Sequence, residues 1–114
     1  MAGINRSQLL EQFGGDADLL RDVAAIFLGD YRARVEQLRR AIAAGDAGQL
    51  EISAHTLKGA ASAFCASGVV EAARRLELLA READFASASA ALAQLEAELA
   101  QVLPELERAI RSAG

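Results

Sequence analysis

The 114-residue chain has one cysteine, one histidine, one proline and no tryptophan. A single cysteine, Cys65, excludes an internal disulfide and a cysteine-based metal cluster, and it fits a reducing compartment. With one histidine beside it, zinc and di-iron sites lack ligands. No paired inward-facing glutamates offer a carboxylate-only site, so no metal is expected. No glycine-rich loop opens onto a helix with Lys-Ser or Lys-Thr, which excludes a P-loop nucleotide site. No apolar run reaches the roughly 18 residues of a membrane span, and Met1 to Ser7 lack the apolar core of a signal peptide. Positive charge is also short: the formal net charge is −4 and the pI about 5.0. Binding phosphate backbones needs clustered Lys and Arg, so nucleic acid is excluded as a main partner. The expectation is a soluble, cytoplasmic domain with neither a membrane nor a nucleic-acid partner.

What is present points to helices. Hydrophobic residues make up 53% of the chain and charged residues 25%, with alanine and leucine dominant and β-branched residues sparse. The length suits one domain over 1–114. Asn5, with Gln8 three residues on, can cap a short helix over about 6–13 that stops at Gly14-Gly15. Asp16 can cap a long helix over 17–44, whose apolar stripe runs Leu20, Val23, Phe27, Tyr31, Val35, Leu38, Ile42, with at most a kink at Gly29. Asp46, with Gln49 closing a capping box, starts a helix over 47–64 carrying Leu50, Ala54, Leu57, Ala61 and Phe64. Ser67 can cap a helix over 68–83 with Val70, Ala73, Leu76 and Ala80 inside. Asp84 can cap the last, over 85–111, with Leu92, Leu95, Leu99, Val102, Leu106 and Ile110. Pro104 removes one backbone bond there, but the rhythm resumes beyond it, which reads as a kink. Short links between single-stripe helices predict an all-α, antiparallel four-helix bundle with a short additional N-terminal helix over one end of the core. The stripes can be buried within a monomer, the expected state.

The single imidazole does not follow the core. At about 100° per residue, His55 lies roughly 140° from the centre of its helix's apolar stripe, close to the most exposed line. It cannot serve as an axial haem ligand inside the bundle. Its neighbours on that face are Gly48, Glu51, Lys58, Gly59 and Ser62, with Ile52, Thr56 and Ala63 beside them. Gly59 in mid-helix costs roughly 1 kcal/mol relative to alanine. Close packing against another helix is one reason for such a glycine, but the wheel puts it on the solvent side. Clearance is the other: without a Cβ, a second protein can bring a reacting group up to the ring. A neutral imidazole has a free lone pair for attack on phosphorus. Lys58, at i+3, can balance the negative charge of a phosphorylated product.

Ala54-His55-Thr56-Leu57-Lys58-Gly59-Ala60-Ala61 resembles the motif of histidine-containing phosphotransfer (HPt) domains, the intermediates of two-component phosphorelays. Phe13-Gly14-Gly15-Asp16, Gly45-Asp46 and Arg75-Leu76-Glu77 resemble the family's landmarks, so the likeness covers nearly the whole chain. The resemblance implies that His55 accepts a phosphoryl group on Nε2 from a receiver-domain phospho-aspartate and relays it to another receiver. It implies phosphate-side charge at Lys58 and steric access at Gly59. Glu77 falls where the family orients the other ring nitrogen, with Glu51, one turn before His55, as the rival. Docking is expected through Ile52, Thr56, Ser62 and Ala63. Partners are response-regulator receivers, with a hybrid histidine kinase a further candidate. No cofactor is implied for this chain; Mg²⁺ belongs to the partner receiver. Where the family commonly has glycine at the end of the histidine helix, this chain has Cys65. Either its backbone is left-handed at a cost of about 1 kcal/mol, or the helix ends differently. A buried, inert thiol is expected there rather than a redox group.

The reading is thus a phosphocarrier without ATP-dependent kinase activity of its own. The alternative is a phosphorylation-independent binding module that sequesters a receiver or other signalling partner. The phosphoacceptor helix pair of a histidine kinase is disfavoured, because His followed by Glu and a Thr-Pro pair are absent. A start at Met1 favours a free-standing protein over a piece of a larger kinase.

Overall fold

Five helices, α1 (Arg6–Gln12), α2 (Ala17–Ala44), α3 (Ala47–Ser62), α4 (Ser67–Arg81) and α5 (Phe85–Ala113), form the protein in a computed structural model that describes residues 6–113. The cap expected at Asn5 lies outside the described residues, as does the side chain of Ile110. Helix α3 packs against α2 and α4, and α5 closes the ring between α4 and α2. Links of only two, four and three residues make each helix reverse direction, and the result is an antiparallel four-helix bundle. Helix α1 packs on α2 and buries Leu9. The Phe13 ring, just after α1, lies 5.9 Å from that of Phe64, which in turn lies 5.3 Å from that of Phe27. The opening helix therefore covers the end of the core beside the α3–α4 link.

Local sequence accounts for where the helices start and stop. Asp16, Asp46 and Asp84 each accept a hydrogen bond from the backbone N–H three residues on, at 3.0, 3.0 and 3.1 Å. These satisfy amides that a helix start leaves unpaired. Two caps differ from expectation. Helix α4 begins at Ser67 itself, with Ala66 as an N-cap that offers no side-chain bond. Gln49 does not close a capping box; its Nε2 donates to Ser53 Oγ at 2.9 Å, one turn along the same helix.

Helices α1 to α4 all end in a Schellman motif, with the N–H of Gly15, Asp46, Ala66 and Asp84 reaching back five residues at 2.7, 2.9, 3.3 and 3.0 Å. Each motif needs a left-handed residue just before that N–H. Gly14 and Gly45 supply it without strain, whereas Cys65 (φ 57°) and Ala83 (φ 54°) adopt it with a Cβ present. This settles the geometry at Cys65 as left-handed, at a cost of about 1 kcal/mol for each non-glycine. The Cys65 thiol is half-buried rather than buried. The same two turns end α3 at Ser62 and α4 at Arg81, two residues before the expected 64 and 83. Helix α5 runs on past 111 to Ala113. Helix α2 passes Gly29 and α5 passes Pro104 without a break.

The stripes meet in one core. Leu20, Phe27, Val35 and Leu38 of α2, Leu50, Ala54, Leu57 and Ala61 of α3, and Leu92, Leu95, Leu99, Val102 and Leu106 of α5 are buried. In α4 the deepest residues include Val69, Ala73, Leu76 and Ala80, with Val70 only half-buried. The α4 stripe is turned slightly from the expected one. Helices α3 and α4 make the most extensive pairing of the bundle. Both give it alanines, Ala54, Ala61, Ala73 and Ala80, whose small side chains let two backbones approach closely. Across that pairing α4 presents Glu77 to His55.

Candidate functional site

His55 stands on the outer surface of α3 with its side chain 70% exposed. Leu57 and Ala54, one residue to either side of the His55-Thr56 pair, are fully buried, so the helix rotation is fixed by the core and the ring is left facing out. Its Nδ1 lies 3.1 Å from Glu77 Oε2 on α4. A carboxylate can only accept, so this contact places the proton on Nδ1 and leaves the lone pair on Nε2, the nitrogen turned toward solvent.

Glu77 is the opposite of its neighbour. Its side chain is only 5% exposed, one residue past Leu76 on the flank of the α4 stripe. A buried carboxylate needs partners, and three cationic or donor groups surround this one. Besides His55, Lys58 Nζ sits 2.6 Å from Oε1 and Arg81 Nη2 3.7 Å from Oε2. The lysine contact is an ion pair by distance but is not aligned as a hydrogen bond, and Oε1 has no aligned donor. Burial pushes the Glu77 carboxyl up, yet Lys58 first and His55 second outweigh it and hold the group below its ordinary value. The carboxylate therefore stays charged at neutral pH.

Glu51, the alternative partner for Nδ1, is held elsewhere: Arg81 Nε donates to its Oε2 at 2.6 Å. Lys58 pairs with Glu77 rather than with Glu51, a contact that helical spacing within α3 did not suggest. Arg81 was not singled out from sequence at all. It hydrogen-bonds Glu51 across the seam and lies within ion-pair distance of Glu77 on its own helix, and its spacing of four from Glu77 was the available signal.

Around the ring the surface is small and partly apolar. A Cβ built on Gly59 meets no atom within 4 Å, so packing inside this chain does not require a glycine there. Ile52 is 63% exposed. Thr56 is exposed, with Oγ1 donating to the Ile52 carbonyl at 2.9 Å. Ser62 is exposed and Ala63 half-buried at the end of the helix. All four expected docking positions thus share the face that carries His55, and Glu51, Lys58 and Glu77 line its α4 edge. Among the described residues no group of three or more His, Cys, Asp or Glu is gathered to hold a metal ion.

The site is thus one oriented imidazole on a helical bundle, open to solvent and backed by a buried carboxylate. The Hpt domain family matches residues 22–105, and the chain belongs to that family, whose members are phosphocarrier modules of two-component phosphorelays. No curated protein and no solved structure matches the chain. No helix among the described residues is long and apolar enough to cross a membrane.

Proposed function

We propose that this chain is a phosphorelay intermediate in the cytoplasm, which takes a phosphoryl group on His55 Nε2 from the phospho-aspartate of one receiver domain and gives it to another. The observation that carries the reading is the pairing of Nδ1 with a buried, charged Glu77 while the rest of the ring is open to solvent. This fixes the reactive tautomer and directs Nε2 outward. Gly59 leaves room for an approaching acyl phosphate, and Lys58, on a flexible stem beside the ring, balances the charge on the phosphoryl oxygens. Ile52, Thr56, Ser62 and Ala63 form the docking surface, small enough in side chain and apolar enough at its centre for a transient interface. This chain supplies a positioned nucleophile; the receiver brings the phosphoryl group and the Mg²⁺ that stabilises its transfer.

The test is to incubate the protein with a panel of phosphorylated receivers and look for acid-labile, base-stable phosphate on the chain. The label is expected on the wild type and absent from His55→Gln, with the two proteins equally helical. Phosphate that persists in His55→Gln would overturn the assignment. A module that works by sequestration alone would keep its effect on a receiver after His55→Ala.

A further inference from the structure

The group behind the imidazole carries a full negative charge, although a neutral amide could hold the ring equally well. That charge has a consequence for the phosphorylated form, and the inference rests on the function proposed above. When Nε2 attacks, its lone pair forms the N–P bond. The P–O bond to the donor aspartate breaks, and the aspartate carboxylate keeps that electron pair. The ring retains its Nδ1 proton and gains one positive charge. Passing the phosphoryl group on requires the same proton. With Nδ1–H in place the ring departs as neutral imidazole; without it the leaving group is imidazolate, which is far more basic and leaves far more slowly.

We propose that Glu77, acting through the Nδ1 proton of His55, keeps the phosphorylated ring protonated at neutral pH and so holds the P–N bond in its readily transferred, and readily hydrolysed, form. Glu77 is a positioning residue in this role and touches neither phosphorus nor the attacking oxygen. Oε2 already lies 3.1 Å from Nδ1, inside a site where the carboxylate is almost wholly shielded from water. An opposite charge at that distance favours the cationic ring.

The charged groups that face the pair are Lys58 and Glu51 from α3 and Arg81 from α4. Lys58 competes for the carboxylate in the resting chain, but it does so at Oε1 and without an aligned hydrogen bond. A phosphoryl group on Nε2 would offer that ammonium a second anionic partner, while Oε2 already faces the ring. Arg81 stays engaged with Glu51 at 2.6 Å and approaches Glu77 only to 3.7 Å. Its charge is already matched by an acid of its own.

The experiment needs no receiver. Wild type and Glu77→Gln are loaded with phosphoramidate, freed of it, and followed by phosphorus NMR between pH 5 and pH 9 as phosphohistidine is lost. In the wild type, the pH at which loss accelerates is expected about one unit or more above that of Glu77→Gln. At pH values above both midpoints the variant's phosphate should then outlast the wild type's by about tenfold. Coincident midpoints, or a higher midpoint in the variant, overturn the inference. A second measurement is independent of the variant's folding: nitrogen NMR of ¹⁵N-histidine in the phosphorylated wild type. It should show the ring protonated about one pH unit higher than phosphohistidine in a short unstructured peptide, and equal midpoints overturn the inference. Failure of the wild type to take phosphate on His55 from phosphoramidate and from every receiver would instead sink the function proposed above. Uptake with indifferent midpoints removes only the role given to Glu77.

Discussion

Two cross-helix ion pairs lie on opposite seams of the bundle and differ in almost every physical respect. Between α2 and α5, Arg39 pairs with Glu96 where both side chains are about half exposed, and Arg39 also reaches Glu36 on its own helix. Between α3 and α4, Glu77 is sealed from water and gathers His55, Lys58 and, more distantly, Arg81. An exposed pair is screened and contributes little, commonly under about 1 kcal/mol. A buried carboxylate must be neutralised by its surroundings, so losing a partner costs more than the pair itself contributed. The α3–α4 seam, the most extensive pairing of the bundle, is the one that buries its charge.

The largest effect should come from the rim of the buried site, where bulk rather than charge decides. Gly59→Gln is expected to slow phosphoryl uptake from a receiver by about 10²-fold through misplacement of the reacting groups. It should raise unfolding stability by about 0.5–1 kcal/mol, since the helix loses a glycine and the new Cβ meets nothing. Uptake at the wild-type rate would end the clearance argument for Gly59. Next is Lys58→Met, which leaves the buried carboxylate short of its nearest cation. Urea unfolding at neutral pH should report a loss of about 1–3 kcal/mol, a figure at the lower end because Lys58 is itself partly exposed.

Acid should separate the seams further. The folded Glu77 carboxyl titrates below its ordinary value, which is the case where stability is complete above the unfolded value near 4.3 and is lost as pH falls through the folded one. Acid unfolding followed by circular dichroism should therefore show a shallower loss of stability below about pH 4.3 in Glu77→Gln than in the wild type. At the other seam, Glu96→Gln should shift neutral-pH stability by no more than about 0.5 kcal/mol. An effect there matching that of Lys58→Met would erase the distinction between the two pairs. Smaller in structural scope is Cys65→Gly, expected to stabilise by about 0.5–1 kcal/mol in the same urea assay by relieving the left-handed Cβ. If the variant is instead less stable, the half-buried thiol contributes more packing than its backbone strain costs.

Much of this architecture was legible in the chain. The apolar stripes of α2, α3 and α5 needed only a period of 3.6, and Asp16, Asp46 and Asp84 are caps because a short acidic side chain before a stripe can reach an unpaired amide. Glycine at positions 14 and 45 marked two helix ends for the same backbone reason. The ends at Cys65 and Ala83 were harder, since left-handed residues with a Cβ carry no local sign; the left-handed Cys65 was one of two openings and Ala83 was not foreseen. At the site, the outward direction of His55 followed from its own helix. Its partner on α4 lies 22 residues away, and which acid faces it depends on how α4 is rotated against α3. The wheel of α3 offers only Glu51; Glu77 came from the family resemblance, and helical spacing could not choose between them. Only the packed seam sends Glu51 to Arg81 and joins Lys58 to Glu77.

Among the described residues, the hydrogen-bond and ion-pair partners of the imidazole and its carboxylate fall between His55 and Arg81, on a single helical hairpin. Helices α2 and α5 close the bundle behind the hairpin's two antiparallel limbs. On the function proposed above, a phosphoryl group carried at His55 would add its charge to that hairpin, at the one seam of the bundle where a carboxylate is already buried.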